Sequence, residues 1–262
     1  MGYQTLNFEV SAGVATITLN RPNNMNAMSP QMGAELHEVA LEIDADQDIR
    51  AVVLTGAGKV FCAGGDLGEF AAAGDGARTL IMKMTGDLHL ALSRLARNAA
   101  PVIAAVNGTA AGAGFSLLMA ADLAIAAESA VMTMAYTNAG LSPDGSSTYY
   151  MPRKIGDRRA RELMLTNRVL NAQEALDWGV VNQVVADGEA LPAAQKLAAK
   201  LAQGPTQAYG QVKALLDSSF DHSLESQMEL EARAIAGLVG SPDGQEGLHA
   251  FLDKRKPQFS GQ

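Results

Sequence analysis

The chain has 262 residues, of which 48% are hydrophobic and 18% are charged, and its formal net charge is −8. This composition predicts a compact globular protein with a large core, and the negative charge argues against nucleic acid or an anionic membrane as the main partner. The single cysteine, Cys62, excludes an internal disulfide framework, and with no basic-then-apolar leader at the start we expect a cytoplasmic protein.

The front of the chain alternates short strands, glycine-rich turns and helices. LNFEV and VATITLN alternate in polarity on either side of Ser-Ala-Gly, which predicts a β-hairpin. Ser29-Pro30 predicts the start of a helix that runs to about Asp46. The later elements are predicted as strands at AVVLTG, PVIAAVNG and twice within LAIAAESAVMTM, and as helices at 77–98 and 115–124. This order indicates an α/β fold with parallel strands.

The rear of the chain is predicted to be helical, with VVNQVV (180–185) as its one strand. The predicted helical segments are RARELMLTNRVL, NAQEALDWG, LPAAQKLAAKLAQG, PTQAYGQVKALLDSS, ESQMELEARAIAGLVG and GQEGLHAFLDKRK. The pattern thus becomes helical beyond residue 157, and we divide the chain into a core over residues 1–200, which would hold the ligand site, and a helical C-terminal oligomerisation region over residues 201–262.

Two glycine-rich turns follow predicted strands, CAGGDL (62–67) and AAGAGF (110–115). Their small residues leave backbone N–H groups open to a ligand. If the turns face each other, two N–H donors can point at one oxygen, as stabilisation of a developing oxyanion requires. Tight turns that serve only packing are the alternative.

Several other kinds of site are disfavoured by the sequence. GAGFSL lacks the third glycine and the downstream acid of a dinucleotide-binding turn. Ser116 is not in a G-x-S-x-G elbow, because Leu118 replaces the last glycine. The four histidines form no metal-binding motif, so we expect no metal.

GLSPDGSS (140–147) contains a single acid, Asp144. Ser142 can cap a helix and Pro143 suits its first position, so we predict a helix start with Asp144 in the first turn. A carboxylate there is favoured by the helix dipole. On its own, the segment leaves open whether Asp144 only starts a helix or acts in catalysis.

Taken together, these segments resemble the crotonase, or enoyl-CoA hydratase/isomerase, superfamily from end to end. The matching segments are LNRPNNMNAMS, AVVLTGAGKVFCAGGDL, PVIAAVNGTAAGAGFSLLMAADLAIAAESA, GLSPDGSSTYYMPRKIG, LTNRVLNAQEALDWGVVNQVV and FLDKRKPQF. The resemblance implies a spiral of ββα units and a helical C-terminal region that builds trimers or hexamers. It also implies an acyl-CoA thioester as ligand, with coenzyme A carried by the substrate and no separate cofactor.

The resemblance implies specific site residues. The backbone N–H groups of Gly65 and Ala113 would stabilise a thioester enolate, and the Ala63 carbonyl would meet the adenine. Lys254 or Lys256, on the FLDKRK helix of this or a neighbouring subunit, would lie near the CoA phosphates. The further positions assigned to substrate binding are Met25, Ala27, His89, Ser116 and Tyr136.

The departures from the family pattern bear on the reaction. Hydratases of the family use two glutamates, at positions that this chain fills with Ser116 and Tyr136, which puts hydration in doubt. Isomerase-type members use an acid at the place of Asp144, and GLSPDGSS resembles the ring-epoxide isomerase of phenylacetate degradation. We therefore predict an acyl-CoA isomerase with Asp144 as proton shuttle, in fatty-acid or aromatic-acid catabolism.

Three alternatives stay open at this point. The 4-chlorobenzoyl-CoA dehalogenase branch has an acid at the position equivalent to Asp144, where it acts as a nucleophile. That branch also has an aromatic residue at the position equivalent to Tyr136 and a histidine at the position equivalent to His89. An unorthodox hydratase is the second alternative, and a catalytically idle acyl-CoA-binding protein is the third. His89 itself is either part of such a site or simply a histidine packed on its helix.

Overall fold

Two β-sheets form the frame of the computed structural model, which describes residues 2–262. The strands are β1 Leu6–Ser11, β2 Val14–Leu19, β3 Ala51–Gly56, β4 Val60–Cys62, β5 Val102–Val106, β6 Thr109–Ala111, β7 Leu123–Ala127, β8 Val131–Thr133, β9 Leu170–Asn171 and β10 Gln183–Val185. One sheet has the order β1-β2-β3-β5-β7-β10 and the other β4-β6-β8-β9.

The helices follow the strands along the chain. They are α1 Pro30–Ala45, α2 Leu67–Ala72, α3 Ala77–Arg97, α4 Ala113–Ala120, α5 Ser147–Ile155, α6 Asp157–Thr166, α7 Ala172–Trp178, α8 Ala190–Ala202, α9 Thr206–Ser218, α10 Leu224–Val239 and α11 Pro242–Leu252. The predicted cap of α1 is confirmed, because the Ser29 side chain accepts a hydrogen bond from the Met32 amide.

The chain winds as a spiral that contributes in turn to both sheets. The strands β3, β5 and β7 lie parallel in the six-stranded sheet, and each is followed by a short strand, β4, β6 or β8, in the four-stranded sheet. A helix then returns the chain to the start of the next unit. The predicted β-hairpin and the α/β spiral of ββα units are therefore confirmed.

The six-stranded sheet is buried on both faces. Val52 and Leu54 of β3 belong to the large core cluster, and Ala51 and Val53 on the other face belong to a second cluster. Three alanines of α8, at positions 194, 198 and 202, cover that second face. Their small side chains let the helix lie close to the sheet. The α8 helix is thus part of the core, and the boundary at residue 200 stays a prediction.

Three predictions for the rear of the chain are wrong in detail. RARELMLTNRVL is not helical throughout: α6 ends at Thr166, Asn167 has φ of +52°, and Leu170 pairs with Met132. VVNQVV is a strand only from Gln183, because the amides of Val180 and Val181 both donate to the Ala175 carbonyl in the turn that ends α7.

The third correction concerns the FLDKRK segment. The α11 helix ends at Leu252, so Lys254 and Lys256 follow the helix instead of lying on it. Lys254 has φ of +53°, which takes the chain out of helical geometry at that point. Both lysines are exposed.

The α10 helix carries no buried residue within the described chain. Its exposed apolar side chains include Leu224, Met228, Ile235 and Val239. Trimer or hexamer formation stays a prediction. No helix within residues 2–262 has the length and hydropathy to cross a membrane.

Candidate active site

One cavity of about 360 Å³ brings together most of the predicted site residues. Six of them line it: Ala63, Gly65, His89, Ala113, Tyr136 and Asp144. Apolar side chains complete the wall, among them Leu67, Phe70, Ile81, Met84 and Leu141. An apolar cavity with a few polar groups on its wall is the usual form of a small-molecule site.

The two glycine-rich turns touch each other at this cavity. Gly64 has φ of +106° and Gly112 has φ of +49°, a region of backbone conformation that favours glycine. A Cβ atom at Gly64 would lie 3.2 Å from the Ala111 carbonyl oxygen. Glycine is therefore required at this position both for the backbone conformation and for the close approach of the turns.

The turn after β4 leaves the Gly65 amide without a backbone partner. Met28 forms an isolated bridge beside Gly65, in which its amide donates to the Gly64 carbonyl at 2.7 Å and its carbonyl accepts from the Asp66 amide at 2.9 Å. Within residues 2–262, no backbone carbonyl accepts from the Gly65 N–H. The bridge fixes the turn while leaving that donor for another acceptor.

The Ala113 amide is free for a different reason. Ala113 is the first residue of α4, and the first N–H groups of an α-helix have no partner within the helix. Gly112, just before it, donates to the Thr133 carbonyl at 3.1 Å, which ties the turn to the neighbouring strand. The helix dipole adds partial positive charge at this end of α4.

Asp144 does not lie in the first turn of a helix, so that prediction is wrong. The helix α5 begins only at Ser147, and Gly145 and Ser146 have φ of +58° and +65°. Two consecutive left-handed residues form a tight turn ahead of the helix, and the Ser147 hydroxyl donates to the Asp144 carbonyl at 2.9 Å. The Asp144 carboxylate is therefore not used to cap the helix and lies on the cavity wall.

Tyr136 holds one oxygen of that carboxylate. Its phenol donates to Oδ1 of Asp144 at 2.5 Å and lies 3.0 Å from the Ser116 Oγ. Burial raises the pKa of Tyr136, and the negative charge of Asp144 raises it further. The phenol therefore keeps its proton and serves as a donor to Asp144. Ser116 is fully buried behind it.

His89 approaches the same carboxylate from α3. Its Nε2 atom lies 3.8 Å from Oδ2 of Asp144 and accepts a hydrogen bond of 3.2 Å from the Gly145 amide. A ring nitrogen that accepts from an N–H carries no proton, so the neutral ring holds its proton on Nδ1. The His89 side chain is thus neither a buried core residue nor free in solvent, with 50% of its surface exposed.

Five predicted binding residues lie outside the cavity wall, namely Ser116, which is buried behind Tyr136, and Met25, Ala27, Lys254 and Lys256. The Met25 carbonyl accepts from the Ala63 amide at 3.1 Å, and the Ala27 carbonyl accepts from Arg21 at 2.6 Å, so both support the loop beside the CAGGDL turn through their backbone. Lys254 and Lys256 do not line the cavity of the described chain. Roles for all five residues stay predictions.

Sequence reasoning missed Arg21, which braces that loop. The Arg21 guanidinium forms ion pairs with Asp66 at 2.9 Å and with Glu69 at 3.2 Å. Asp66, the residue that follows Gly65, also caps α2 by accepting a hydrogen bond from the Glu69 amide. Arg21 lies within the LNRPNNMNAMS segment that carries the family resemblance, which is the one signal that could have indicated it. From the sequence alone, an arginine that forms structural ion pairs cannot be distinguished from an arginine exposed on the surface.

Metal-binding and thiol chemistry find no support at this cavity. Within residues 2–262, no cluster of three or more histidine, cysteine, aspartate or glutamate side chains could hold a metal ion. The thiol of Cys62 is buried beneath the turn, and burial raises its pKa to about 11. A thiol of such a pKa is largely protonated near neutral pH and is a weak nucleophile.

Comparison with known proteins places these residues in a family context. The sequence profile of the enoyl-CoA hydratase/isomerase family matches residues 9–262. A protein from Rhodobacter capsulatus named "Probable enoyl-CoA hydratase" is 41% identical over 261 residues, with 100% of both chains covered. The 1,2-epoxyphenylacetyl-CoA isomerase of Escherichia coli K12 is 42% identical, with 96% of this chain and 97% of the relative covered.

Other relatives extend the range of reactions. A 4-chlorobenzoyl coenzyme A dehalogenase from an Arthrobacter species is 38% identical, with 95% of this chain and 91% of the relative covered. The crystal structure of an enoyl-CoA hydratase from Polaromonas sp. JS666 superposes with a TM-score of 0.92 at 35% identity, covering 97% of this chain and 99% of that chain. The names of these relatives thus span hydration, isomerisation and dehalogenation.

Proposed function

The chain belongs to the enoyl-CoA hydratase/isomerase family, and from this premise we propose that it is an acyl-CoA isomerase. In this proposal Asp144 moves a proton between two carbons of the acyl group. The observation that carries the proposal is the position of the Asp144 carboxylate, on the wall of the cavity that Gly65 and Ala113 also line. A base and two unpaired amides on one apolar cavity are what enolate formation needs.

Binding comes first. The thioester carbonyl oxygen accepts hydrogen bonds from the Gly65 and Ala113 amides, which have no backbone partner in the described chain. Negative charge grows on that oxygen as the enolate forms, so the two donors stabilise the enolate more than the substrate. Ala63, at the same turn, offers its carbonyl to the adenine of coenzyme A. No other cofactor is required.

The proton then moves through one oxygen of Asp144. Oδ1 is held by the Tyr136 phenol, so Oδ2 is the oxygen that accepts the proton. The carboxylate removes the proton from one carbon, the electron pair passes into the enolate, and the protonated Asp144 returns the proton to another carbon. One carboxylate suffices, because no water has to be activated.

Two features argue against a hydratase of the usual kind. Ser116 and Tyr136 stand where the family's hydratases carry glutamates, and these two side chains bond to each other. Neither can act as a carboxylate base toward water. We expect hydration of crotonyl-CoA to be slow or absent.

A dehalogenase is the second candidate, because His89 lies 3.8 Å from Oδ2 of Asp144. In that reaction Asp144 would attack an aryl carbon and displace halide, and water would hydrolyse the aspartyl ester. A histidine base for that water needs a free ring nitrogen. Nε2 of His89 is already the acceptor of the Gly145 amide, which favours isomerisation over this reaction.

A panel of acyl-CoA thioesters tests the proposal. Each thioester is incubated with the enzyme and analysed by chromatography with mass detection, because isomers share a mass but separate on the column. We expect a product of unchanged mass from an enoyl or ring-epoxide thioester. A product heavier by one water would support a hydratase, halide release would support a dehalogenase, and binding without any product would support the idle alternative.

A further inference from the structure

We propose that His89 is a positioning residue that holds the Asp144 turn in place only while its imidazole is neutral. The proposal rests on the proposed function for its catalytic consequence and on the His89–Gly145 hydrogen bond for its geometry. The Gly145 amide belongs to the residue next to Asp144 and donates to Nε2 of His89 at 3.2 Å. This hydrogen bond joins the α3 helix to the turn that carries Asp144.

The turn has little room to move without disturbing the carboxylate. A Cβ atom at Gly145 would lie 2.9 Å from Cβ of Ser116, so the turn packs directly on α4. Ser116 in turn contacts the Tyr136 phenol, which holds Oδ1 of Asp144. These contacts form a closed ring through His89, Gly145, Ser116, Tyr136 and Asp144. A change at His89 is therefore transmitted to the position of the base.

Protonation of His89 has two consequences, and both should lower the activity. A proton on Nε2 removes the acceptor of the Gly145 amide, because an imidazolium has only donors. It also places a positive charge 3.8 Å from Oδ2 of Asp144, the oxygen that is to act as base. An ion pair at this oxygen makes the carboxylate a poorer proton acceptor. Activity should therefore fall when His89 takes up a proton.

The charged and titratable groups around His89 come from several elements. Asp144 and the Tyr136 phenol face it within the active cavity. On its other side His89 lines a second cavity, whose ionisable groups are Arg97 of α3, Tyr149 and Tyr150 of α5, Asp217 of α9 and Asp221 just beyond α9. Asp144 is the one that the structure places within 4.0 Å of Nε2 as an ion-pair partner. It is thus the group through which a charge on His89 acts on catalysis.

Three variants separate the acceptor from the charge. His89→Gln offers an amide oxygen near the place of Nε2 and cannot ionise, whereas His89→Leu offers no acceptor. His37→Gln is the matched control. His37, on α1, also lies near a carboxylate, 3.9 Å from Asp87 of α3, but it does not line the cavity. Near pH 8 we expect kcat to fall by about 10- to 100-fold in His89→Leu, the scale of a misplaced catalytic group, and to fall clearly less in His89→Gln, which keeps an acceptor for the Gly145 amide.

The pH profile of kcat gives the decisive activity readout. On acidification we expect kcat of the wild type and of His37→Gln to fall more steeply than kcat of His89→Gln, because only the first two carry an imidazole at position 89 that can take up a proton. Identical profiles for wild type and His89→Gln, or normal kcat in His89→Leu, would overturn the proposal.

Nitrogen NMR of ring-labelled histidine tests the geometry without any substrate. The His89 signal, assigned by its loss in His89→Gln, should show a proton on Nδ1 at neutral pH, and the Gly145 amide shift should follow the His89 titration. A proton on Nε2 at neutral pH would overturn the proposal. If NMR agrees but no acyl-CoA is isomerised, the isomerase proposal fails and the positioning role stands. If isomerisation occurs but the chemical shift of the Gly145 amide does not change when His89 takes up a proton, only the positioning role of His89 fails.

Discussion

The Tyr136 phenol donates a 2.5 Å hydrogen bond to Oδ1 of Asp144. This bond divides the carboxylate into an oxygen that is held and an oxygen that is free to act. Since burial and the charge of Asp144 raise the pKa of Tyr136, the phenol stays a donor over the whole range in which the enzyme would work. Tyr136 thus holds one oxygen of Asp144, the acid that lines the cavity.

Removing this phenol should impair catalysis more than binding. Tyr136→Phe leaves Oδ1 without its partner, and a hydrogen bond to a charged group contributes about 1.5–3 kcal/mol, so kcat should fall about 10- to 100-fold. Acyl-CoA affinity, measured by calorimetry, should change little because the amide donors are untouched. Tyr3→Phe is the control, since Tyr3 donates to Glu42 and does not line the cavity. An unchanged kcat in Tyr136→Phe would show that Tyr136 does not orient the base.

Glycine at 114 should be essential for stability, in contrast with glycine at 86. A Cβ atom at Gly114 would lie 2.2 Å from the Cys62 carbonyl oxygen, whereas one at Gly86 meets nothing within 4 Å. Gly114→Ala should lower the free energy of unfolding by about 3 kcal/mol or more, since overpacking costs about 1–3 kcal/mol even where side chains can adjust. Gly86→Ala, on the exposed face of α3, should raise it by about 0.5–1 kcal/mol. Urea unfolding at one fixed protein concentration measures both, and equal effects would contradict the packing described for the two turns.

The apolar face of α10 should be covered by another copy of the chain. Leu224, Met228, Ile235 and Val239 are all exposed and spaced so that they share one side of the helix. Light scattering should give three or six times the chain mass of 27.3 kDa. Ile235→Glu should shift the distribution toward smaller species, and Glu229→Gln on the same helix should not. A stable wild-type monomer at micromolar concentration would contradict this prediction.

The sequence was most informative where local chemistry decides the structure. The hairpin, the cap at Ser29 and the strands predicted for the front half follow from periodicity and turn residues, and they are confirmed, whereas the short strands β4 and β6 were not predicted. The start of α5 was misplaced because Ser142 and Pro143 have the right local chemistry for a cap. Packing of Gly145 against Ser116 instead favours a tight turn, and no local pattern reports a contact between distant segments.

The same limit applies to the candidate site. Six of the residues that line the cavity were among those predicted through the family resemblance, whereas the hydrogen bonds among them were not predicted. The hydrogen bond from Gly145 to His89 and the Arg21 brace join segments that are far apart in the chain. The bond from the Tyr136 phenol to Oδ1 of Asp144 spans only eight residues, but they form no continuous helix or strand. Such contacts depend on how the α3 helix and the turns pack together, and this packing cannot be inferred from local patterns in a single sequence.

Replacing the base itself should separate binding from chemistry. Asp144→Asn is nearly isosteric and leaves the Gly65 and Ala113 amides in place, so acyl-CoA binding by calorimetry should persist. Isomerisation should be lost, since an amide cannot accept and return a proton near neutral pH. Full isomerase activity in Asp144→Asn would remove Asp144 from the mechanism.

The most direct test of Asp144 as a proton shuttle is a single turnover in heavy-oxygen water. Wild-type enzyme in excess is mixed with an enoyl-CoA or with a halogenated benzoyl-CoA, quenched and digested, and the peptide that contains Asp144 is weighed by mass spectrometry. A proton shuttle forms no bond between Asp144 and carbon, so we predict no heavy oxygen in that peptide. A nucleophile forms an aspartyl ester whose hydrolysis leaves label on the side chain. Heavy oxygen in the Asp144 peptide together with halide release would contradict the isomerase account.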